Sequence, residues 1–427
     1  MKVIKIKDYF YLPDHNELLN KEILTLFLKH SNKIKIERVY FSEKELKIRM
    51  KHLKQIVFEI TQACNMRCKY CVYGDFYPFH RNHSFRTLEE RAAREAIDFI
   101  FELLKGRGNK RLHIGFYGGE PLLYFDRMTR IVKYLLKKFN NWKLEFYLTS
   151  NGTLLSKEIL DFFIKHDFKL MISLDGPKEN HDMKRVFPSG KGSFDRVYRN
   201  LALIKERSKK YFLHNVTIST VFSMDLSFQK LYDFFISDRL ISEIPILLGF
   251  VNSNKTSYYD FYSNKRKEFQ ESFLTILDKI ICKIKKGREI KPIEEQILNT
   301  VMKIGEDIGK KNFTFLANSC LFTDKIYIGA DAKFYICEKM GNNLPIGQVG
   351  NGLDFKRMSE IIDIFQNLIK EKCFSCPVRF LCNRCYATFA DKTGFSIDPD
   401  FCQEKKEKIL KILELYVKIK NKLLEDE

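Results

Sequence analysis

From Gln55 to Phe250 the chain alternates short apolar runs with longer stretches of helical spacing. The runs Ile56–Ile60, Leu112–Tyr117, Leu144–Thr149, Leu170–Leu174, Val216–Phe222 and Ile244–Phe250 predict strands. Between them, helical spacing spans Thr87 to about Leu104, Arg127–Phe139, Lys157–His166, Phe194–Lys205 and Leu226–Phe235. Thr87-Leu88-Glu89-Glu90 reads as a capping box opening the first of these helices. Six strand–helix units in a row predict a parallel sheet covered by helices; the spacing leaves open whether it closes into a partial barrel.

The flanks differ. Residues 1–54 predict a small α+β unit: a strand over Lys2–Leu12, a helix over Asn16–His30, a strand over Lys33–Tyr40 and a helix over Ser42–Leu53. After the barrel (residues 55–255), residues 256–317 form a charged connector, helical from Tyr258 to Gly305. Residues 318–402 are rich in cysteine and predicted loop, and poor in regular periodicity, so metal is expected to staple them. Residues 403–427 close the chain with an amphipathic helix, Glu404–Leu424.

Composition narrows the class. The 427 residues are 45% apolar and 30% charged, which is globular. No apolar run approaches a membrane span, and the basic start Met1-Lys2-Val3-Ile4-Lys5 lacks a secretory apolar core, so a cytoplasmic location is expected. Lys and Arg number 74 against 54 Asp and Glu, a net charge of +20 that draws acidic partners without choosing among them. Eleven cysteines in such a chain point to metal or catalysis, not disulfides. Ten of them form two groups; Cys282 stands alone, expected as a buried small residue or, more sharply, as a hydrogen-atom donor.

The first group, Cys64, Cys68 and Cys71, follows directly on the first barrel strand as CxxxCxxC. Three thiolates from one loop can wrap a soft metal centre and leave a position open. A Cys3His zinc site completed by His80 or His83 is the plainer alternative. With Tyr70 before the last cysteine, this loop resembles the radical S-adenosylmethionine (SAM) superfamily. The resemblance implies a [4Fe–4S] cluster on the three cysteines, SAM chelated to its open iron, and a 5′-deoxyadenosyl radical that abstracts hydrogen from substrate.

Further residues extend the likeness. Gly118-Gly119-Glu120 ends the second strand, where two glycines permit close backbone approach and a carboxylate can accept from an ammonium. By resemblance this motif binds the SAM amino group. Ser150-Asn151 ends the third strand and Ser173 the fourth, near Asp175; the resemblance places Ser150, Asn151 and Ser173 near the SAM ribose and carboxylate. Arg185 matches an arginine that contacts the SAM carboxylate, or is a solvated surface residue.

The second group runs Cys320, Cys337, Cys373, Cys376, Cys382, Cys385 and Cys402. Seven ligands exceed one four-coordinate site, and five residues between CxxC pairs are too few for a zinc ribbon. The segment resembles the SPASM domain of radical SAM peptide- and protein-modifying enzymes. That likeness implies two auxiliary [4Fe–4S] clusters, one on Cys320, Cys337 and Cys385, the other on Cys373, Cys376, Cys382 and Cys402. Two departures concern the first of them. The spacer between Cys382 and Cys385 is two residues where three are usual, and Ala332 stands where a glycine is usual. No cysteine lies between Lys311 and Ser319, so that cluster would keep an open iron able to take a substrate thiolate.

The resemblance thus implies a partial (β/α)6 TIM barrel of radical SAM type with a C-terminal SPASM domain. It implies a maturase that forms a Cys-sulfur to carbon thioether on a ribosomally made precursor peptide with a leader. A flavodoxin or ferredoxin would supply electrons, and the N-terminal unit resembles leader-recognition modules that add an extended peptide to a sheet edge. Other outcomes of the same chemistry are a carbon–carbon crosslink, epimerisation, or protein side-chain maturation such as sulfatase formylglycine. A zinc-dependent nucleic-acid-binding protein is the reading from another class, and the three-cysteine loop and Gly118-Gly119-Glu120 weigh against it.

Overall fold

The computed structural model describes residues 2–21, 35–262, 265–310, 312–340 and 342–424. Six strands run parallel: β5 (Gln55–Thr61), β6 (Arg111–Gly118), β7 (Lys143–Ser150), β8 (Lys169–Ser173), β9 (Val216–Phe222) and β10 (Ile246–Phe250). They follow four more strands near the front, β1 (Ile4–Ile6), β2 (Tyr9–Leu12), β3 (Glu17–Asn20) and β4 (Lys35–Glu37). Each predicted barrel strand is present, within two residues at either end.

Helices cover one face of this partial barrel. Glu90–Leu103 buries Ala93, Ala96, Ile97 and Ile100, and Phe125–Lys138 buries Met128, Ile131, Val132 and Leu135, the one-sided spacing of amphipathic helices. The other face is not packed in the same way. In β9 the burial alternates strictly: Val216, Ile218, Thr220 and Phe222 are buried, while Thr217, Ser219 and Val221 are half-exposed. Tyr147 and Thr149 in β7, and Met171 and Ser173 in β8, continue that half-exposed row. A parallel sheet is ordinarily buried on both faces, so this inner face is a cleft.

The sheet also extends beyond the barrel. After β11 (Asn312–Thr314), β12 (Lys325–Ile328) pairs parallel with β5, Ile326 opposite Ile56. Antiparallel β13 (Lys333–Tyr335), β14 (Gly347–Gln348) and β15 (Gly352–Leu353) complete one ten-stranded sheet. The cysteine-rich segment is thereby hydrogen-bonded to the first barrel strand.

Several elements differ from expectation. The predicted Thr87 capping box is absent: Thr87 bridges Thr61, and the Glu90–Leu103 helix starts after Glu89 with no side-chain cap. Lys2–Leu12 is a hairpin, and Glu17–Asn20 is the third strand of an antiparallel meander where a helix was expected; the remainder of that predicted helix lies mostly outside the described residues. Ile6 and Tyr11 of this meander pack with Val378, Leu381, Ile409 and Leu413, so it leans on the end of the chain. Among the described residues the connector carries three α-helices, Tyr258–Phe261, Arg266–Lys285 and Pro292–Met302, followed by a 3-10 turn, Lys303–Glu306, and β11. The predicted loop-rich segment contains a 19-residue helix, Phe355–Cys373, whose Met358, Ile361, Ile362, Phe365 and Ile369 join the main apolar core. Apolar burial therefore holds much of this segment. Cys282 is exposed on Arg266–Lys285, so it is not the buried small residue expected.

Candidate active site

The loop after β5 is fixed by backbone contacts with the end of β6. Gly119 N–H donates to Thr61 O at 2.8 Å and Glu120 N–H to Ala63 O at 2.9 Å. A Cβ on Gly119 would lie 2.0 Å from Ala63 O, and Gly118 adopts φ +135°. The two glycines are needed because the chain's own cysteine loop lies against them.

The three cysteines of this loop are half-buried and lie within electrostatic reach of one another. Burial pushes the Cys64 thiol up to about 11 and Cys68 up to about 12, and raises Cys71, with the neighbouring thiols adding to the rise in Cys68. Left alone they stay protonated and inert; a bound cationic centre would turn them into thiolates. Arg185 opposes the rise at all three. His83 approaches Cys71, with Nε2 3.7 Å from Sγ, whereas His80 packs on the Tyr77 ring. Among the described residues, no group of three or more His, Cys, Asp or Glu could hold a single metal ion.

Behind the loop sits a buried triad. Tyr70 donates to the Asp175 carboxylate and accepts from Arg185 Nη1 at 2.7 Å. Asp175 Oδ1 also accepts from Val221 N–H at 2.9 Å. Arg185 is 7% exposed, so it is not a solvated surface residue, and its Nε is buried without a hydrogen-bond partner. An orphaned buried guanidinium N–H beside three thiols is where an anionic group would be received.

Glu120 is fully buried. Its carboxylate accepts from Ser150 Oγ at 2.9 Å, Leu122 N–H at 3.1 Å and Asn151 N–H at 2.7 Å. Burial outweighs these bonds and pushes its carboxyl up to about 6. Asn151 Nδ2 in turn donates to Asn65 Oδ1 at 2.8 Å and lies 3.9 Å from Cys64 Sγ. Glu120, Ser150 and Asn151 therefore form one chain of hydrogen bonds ending at the cysteine loop. Ser173 sits half-buried at the carboxyl end of β8, on the cleft side.

Sequence reasoning missed a second buried centre. Glu59, inward on β5 and 0% exposed, meets Arg81 at 2.5 Å and accepts from Ala330 N–H at 2.8 Å. The Arg81 guanidinium lies 3.7 Å from the Tyr73 ring centroid. The one available signal was an acid inside an otherwise apolar strand, Gln55-Ile56-Val57-Phe58-Glu59-Ile60.

The seven later cysteines fall into two sets. Cys373, Cys376, Cys382 and Cys402 line one cavity. Cys385 lies within electrostatic reach of both Cys320 and Cys337, and burial pushes Cys337 up to about 12. The short Cys382–Cys385 spacer is pinned: Arg384 N–H donates to Asn318 Oδ1 at 2.6 Å, and Ser319 Oγ donates to Arg384 O at 3.2 Å. Ala332 has φ 60°, the left-handed region that accounts for glycine being usual there. Tyr117, half-buried on β6, has its hydroxyl within electrostatic reach of Glu338, Cys71 and Cys337. Glu338 itself pairs with Lys325 at 3.0 Å.

Residues 58–226 match the Radical SAM superfamily. A "Cysteine-type anaerobic sulfatase-maturating enzyme" of Clostridium novyi (strain NT) is 29% identical over 234 residues, 53% of this chain and 59% of that one. The "Radical SAM cyclopropyl synthase TigE" of Paramaledivibacter caminithermalis is 24% identical over 262 residues, 58% of this chain and 52% of that one. The chain thus spans between half and six-tenths of these relatives' lengths. The solved structure "Native anSMEcpe with bound AdoMet" superposes with a TM-score of 0.63 at 19% identity, covering 86% of this chain and 98% of that one. At that identity the likeness is one of fold. No helix among the described residues is long and apolar enough to cross a membrane.

Proposed function

The barrel segment being a radical SAM domain, we propose that the chain is a radical SAM maturase that modifies a side chain of a peptide or protein. More narrowly, it joins a substrate cysteine sulfur to a carbon as a thioether. The observation that carries this is Tyr73, two residues after Cys71, whose hydroxyl donates at 3.4 Å to the carbonyl of Glu338, the residue after Cys337. A substrate lying along the half-exposed face of β6 to β9 would meet both cysteine sets.

A [4Fe–4S] cluster with SAM on Cys64, Cys68 and Cys71 would supply a 5′-deoxyadenosyl radical able to abstract hydrogen. The chain's residues do the positioning. Glu120 holds Ser150 and Asn151 against the loop, and Tyr70 with Asp175 holds Arg185 beside the thiols for a carboxylate. Cys320, Cys337 and Cys385 are three protein thiols against the four of the other set, which leaves room for a thiolate from substrate. Joining C–H and S–H into C–S removes two hydrogens, so the product is lighter by two hydrogen atoms. The expected partners are a precursor peptide with a leader, taken at an edge strand of the β1–β2–β3 sheet, and an electron donor in the cytoplasm.

The relatives support a second reading, oxidation of a protein cysteine as in sulfatase maturation. Mass spectrometry after anaerobic incubation with SAM and a cysteine-containing peptide separates them. A thioether leaves no alkylatable thiol and no aldehyde; formylglycine gives an aldehyde that hydrazides capture.

A further inference from the structure

Among the described residues, every charged side chain on the inward rows of the barrel strands and β12 has a partner of opposite sign. On the side of the second cysteine group, Glu59 meets Arg81 at 2.5 Å and Lys325 meets Glu338 at 3.0 Å. At the amino ends of the strands, far from the cysteine loop, Glu145 meets Arg111 at 2.7 Å and Lys143 at 3.6 Å, and Lys169 meets Asp167 at 3.7 Å. The orphaned Nε of Arg185 is already assigned to a carboxylate of SAM.

The remaining wall is neutral. From β7 to β9 the inward side chains between those amino ends and the cysteine loop are Thr149, Met171, Ser173, Thr217, Ser219 and Val221, all half-exposed. At the open edge, Leu247 of β10 lies opposite Ser219 and is 46% exposed. This wall belongs to the radical site: Asp175, two residues beyond Ser173, accepts from Tyr70 of the cysteine loop and from Val221 N–H. Met171 lies two residues below Ser173, about 7 Å along the strand. It stands opposite Thr149 on one side and Thr217 on the other, and is the largest of the six side chains. A methionine there offers an apolar surface that adapts to its contact.

A charge taken from water into such a cleft is costly without a counter-ion. We propose that the substrate residue whose carbon is attacked is neutral, and that Met171 sets this preference by meeting its side chain. The proposal rests on the thioether reading above. The C–H hydrogen leaves in 5′-deoxyadenosine and the S–H hydrogen as a proton, and the electron released as the C–S bond closes replaces the one spent on cleaving SAM. Asp, Glu, Lys and Arg are excluded from the attacked position and are free to occur elsewhere in the peptide.

The probe is a pool of synthetic peptides, each with one cysteine and its neighbours varied over the other coded residues. The reconstituted full chain is incubated anaerobically with the pool, SAM and dithionite. Tandem mass spectrometry of the products lighter by two hydrogens identifies the linked residue. Asp, Glu, Lys and Arg are expected there about tenfold less often than in the pool. Met171→Lys is expected to raise the share of Asp and Glu about tenfold while Lys and Arg stay excluded; Met171→Glu does the reverse. Met171→Leu keeps the wild-type preference. Thr217→Lys repeats the lysine result at a second half-exposed position, which keeps the test valid if Met171→Lys loses iron. A general loss of structure lowers all yields together; only contact with the linked side chain sorts them by sign of charge. Charged residues linked by wild type at their pool frequency, or lysine variants that leave the distribution unchanged, overturn the proposal while the thioether reading stands. A pool that yields no linked product, with or without deoxyadenosine, overturns that reading and the proposal with it.

Discussion

The Arg185 guanidinium donates to the Tyr70 hydroxyl at 2.7 Å, and this bond ties the cysteine loop to the end of the fourth barrel strand through Asp175. All three groups are at least nine-tenths buried. Tyr70→Phe removes two buried hydrogen bonds, one to the Asp175 carboxylate and one from Arg185 Nη1, and is expected to cost about 1–3 kcal/mol. Arg185→Met leaves Asp175 without its cation and is expected to cost about 3–5 kcal/mol. Equilibrium urea unfolding under argon checks the order. In SAM titrations, both variants should bind more weakly than wild type while iron content stays equal.

Glu120 gives the site a pH dependence of unusual sign. Burial raises its folded value to about 6 from an ordinary 4.5, so between these values the folded state binds more protons than the unfolded. Stability contributed by the protonated form is full below about 4.5 and is lost as pH rises through about 6. The loss is on the order of 2 kcal/mol. Glu120→Gln should flatten this slope in urea midpoints taken from pH 4.5 to 7. An unchanged slope would assign it to another group.

Arg81 and Glu59 form the centre that joins barrel and cysteine-rich segment. Arg81→Met strands a fully buried carboxylate that also accepts from Ala330 N–H. The expected cost is about 3–5 kcal/mol. Hydrogen exchange should quicken first at the β12–β13 hairpin, since Glu59 then loses the partner that fixes it.

Ala332 sits at φ 60° in the turn between β12 and β13, its N–H donating to Gly329 O at 2.9 Å. Ala332→Gly is expected to stabilise by about 1 kcal/mol, because glycine takes this region without the Cβ penalty. Thermal unfolding of the two chains measures it.

The barrel was legible because each strand is a short apolar run ending in small polar residues, as in Leu170–Leu174 before Asp175-Gly176. The two cysteine-rich regions were legible from spacing, while the division of the second into sets came from the family resemblance; Cys373, Cys376, Cys382 and Cys402 line one cavity. Long-range partners were not. Nothing local to Arg185 shows that it is buried on Tyr70, 115 residues earlier. Nothing local to Lys325–Ile328 shows that it pairs with β5. The Phe355–Cys373 helix was overlooked although Met358, Ile361, Ile362, Phe365 and Ile369 keep helical spacing, because the surrounding cysteines suggested loop. Glu17–Asn20 was misread because Leu18-Leu19 fits a helix as well as a strand, and its pairing with Tyr9–Leu12 decides.

The central claim is that Cys64, Cys68 and Cys71 hold a radical-generating cluster beside two auxiliary ones. The measurement is iron and sulfide analysis with a SAM-cleavage assay after anaerobic reconstitution, on wild type and on Cys64→Ala/Cys68→Ala/Cys71→Ala. The account predicts about twelve irons in wild type, about four fewer in the variant, and 5′-deoxyadenosine from wild type alone. Zinc in place of iron, or deoxyadenosine from the variant at the wild-type rate, would contradict it.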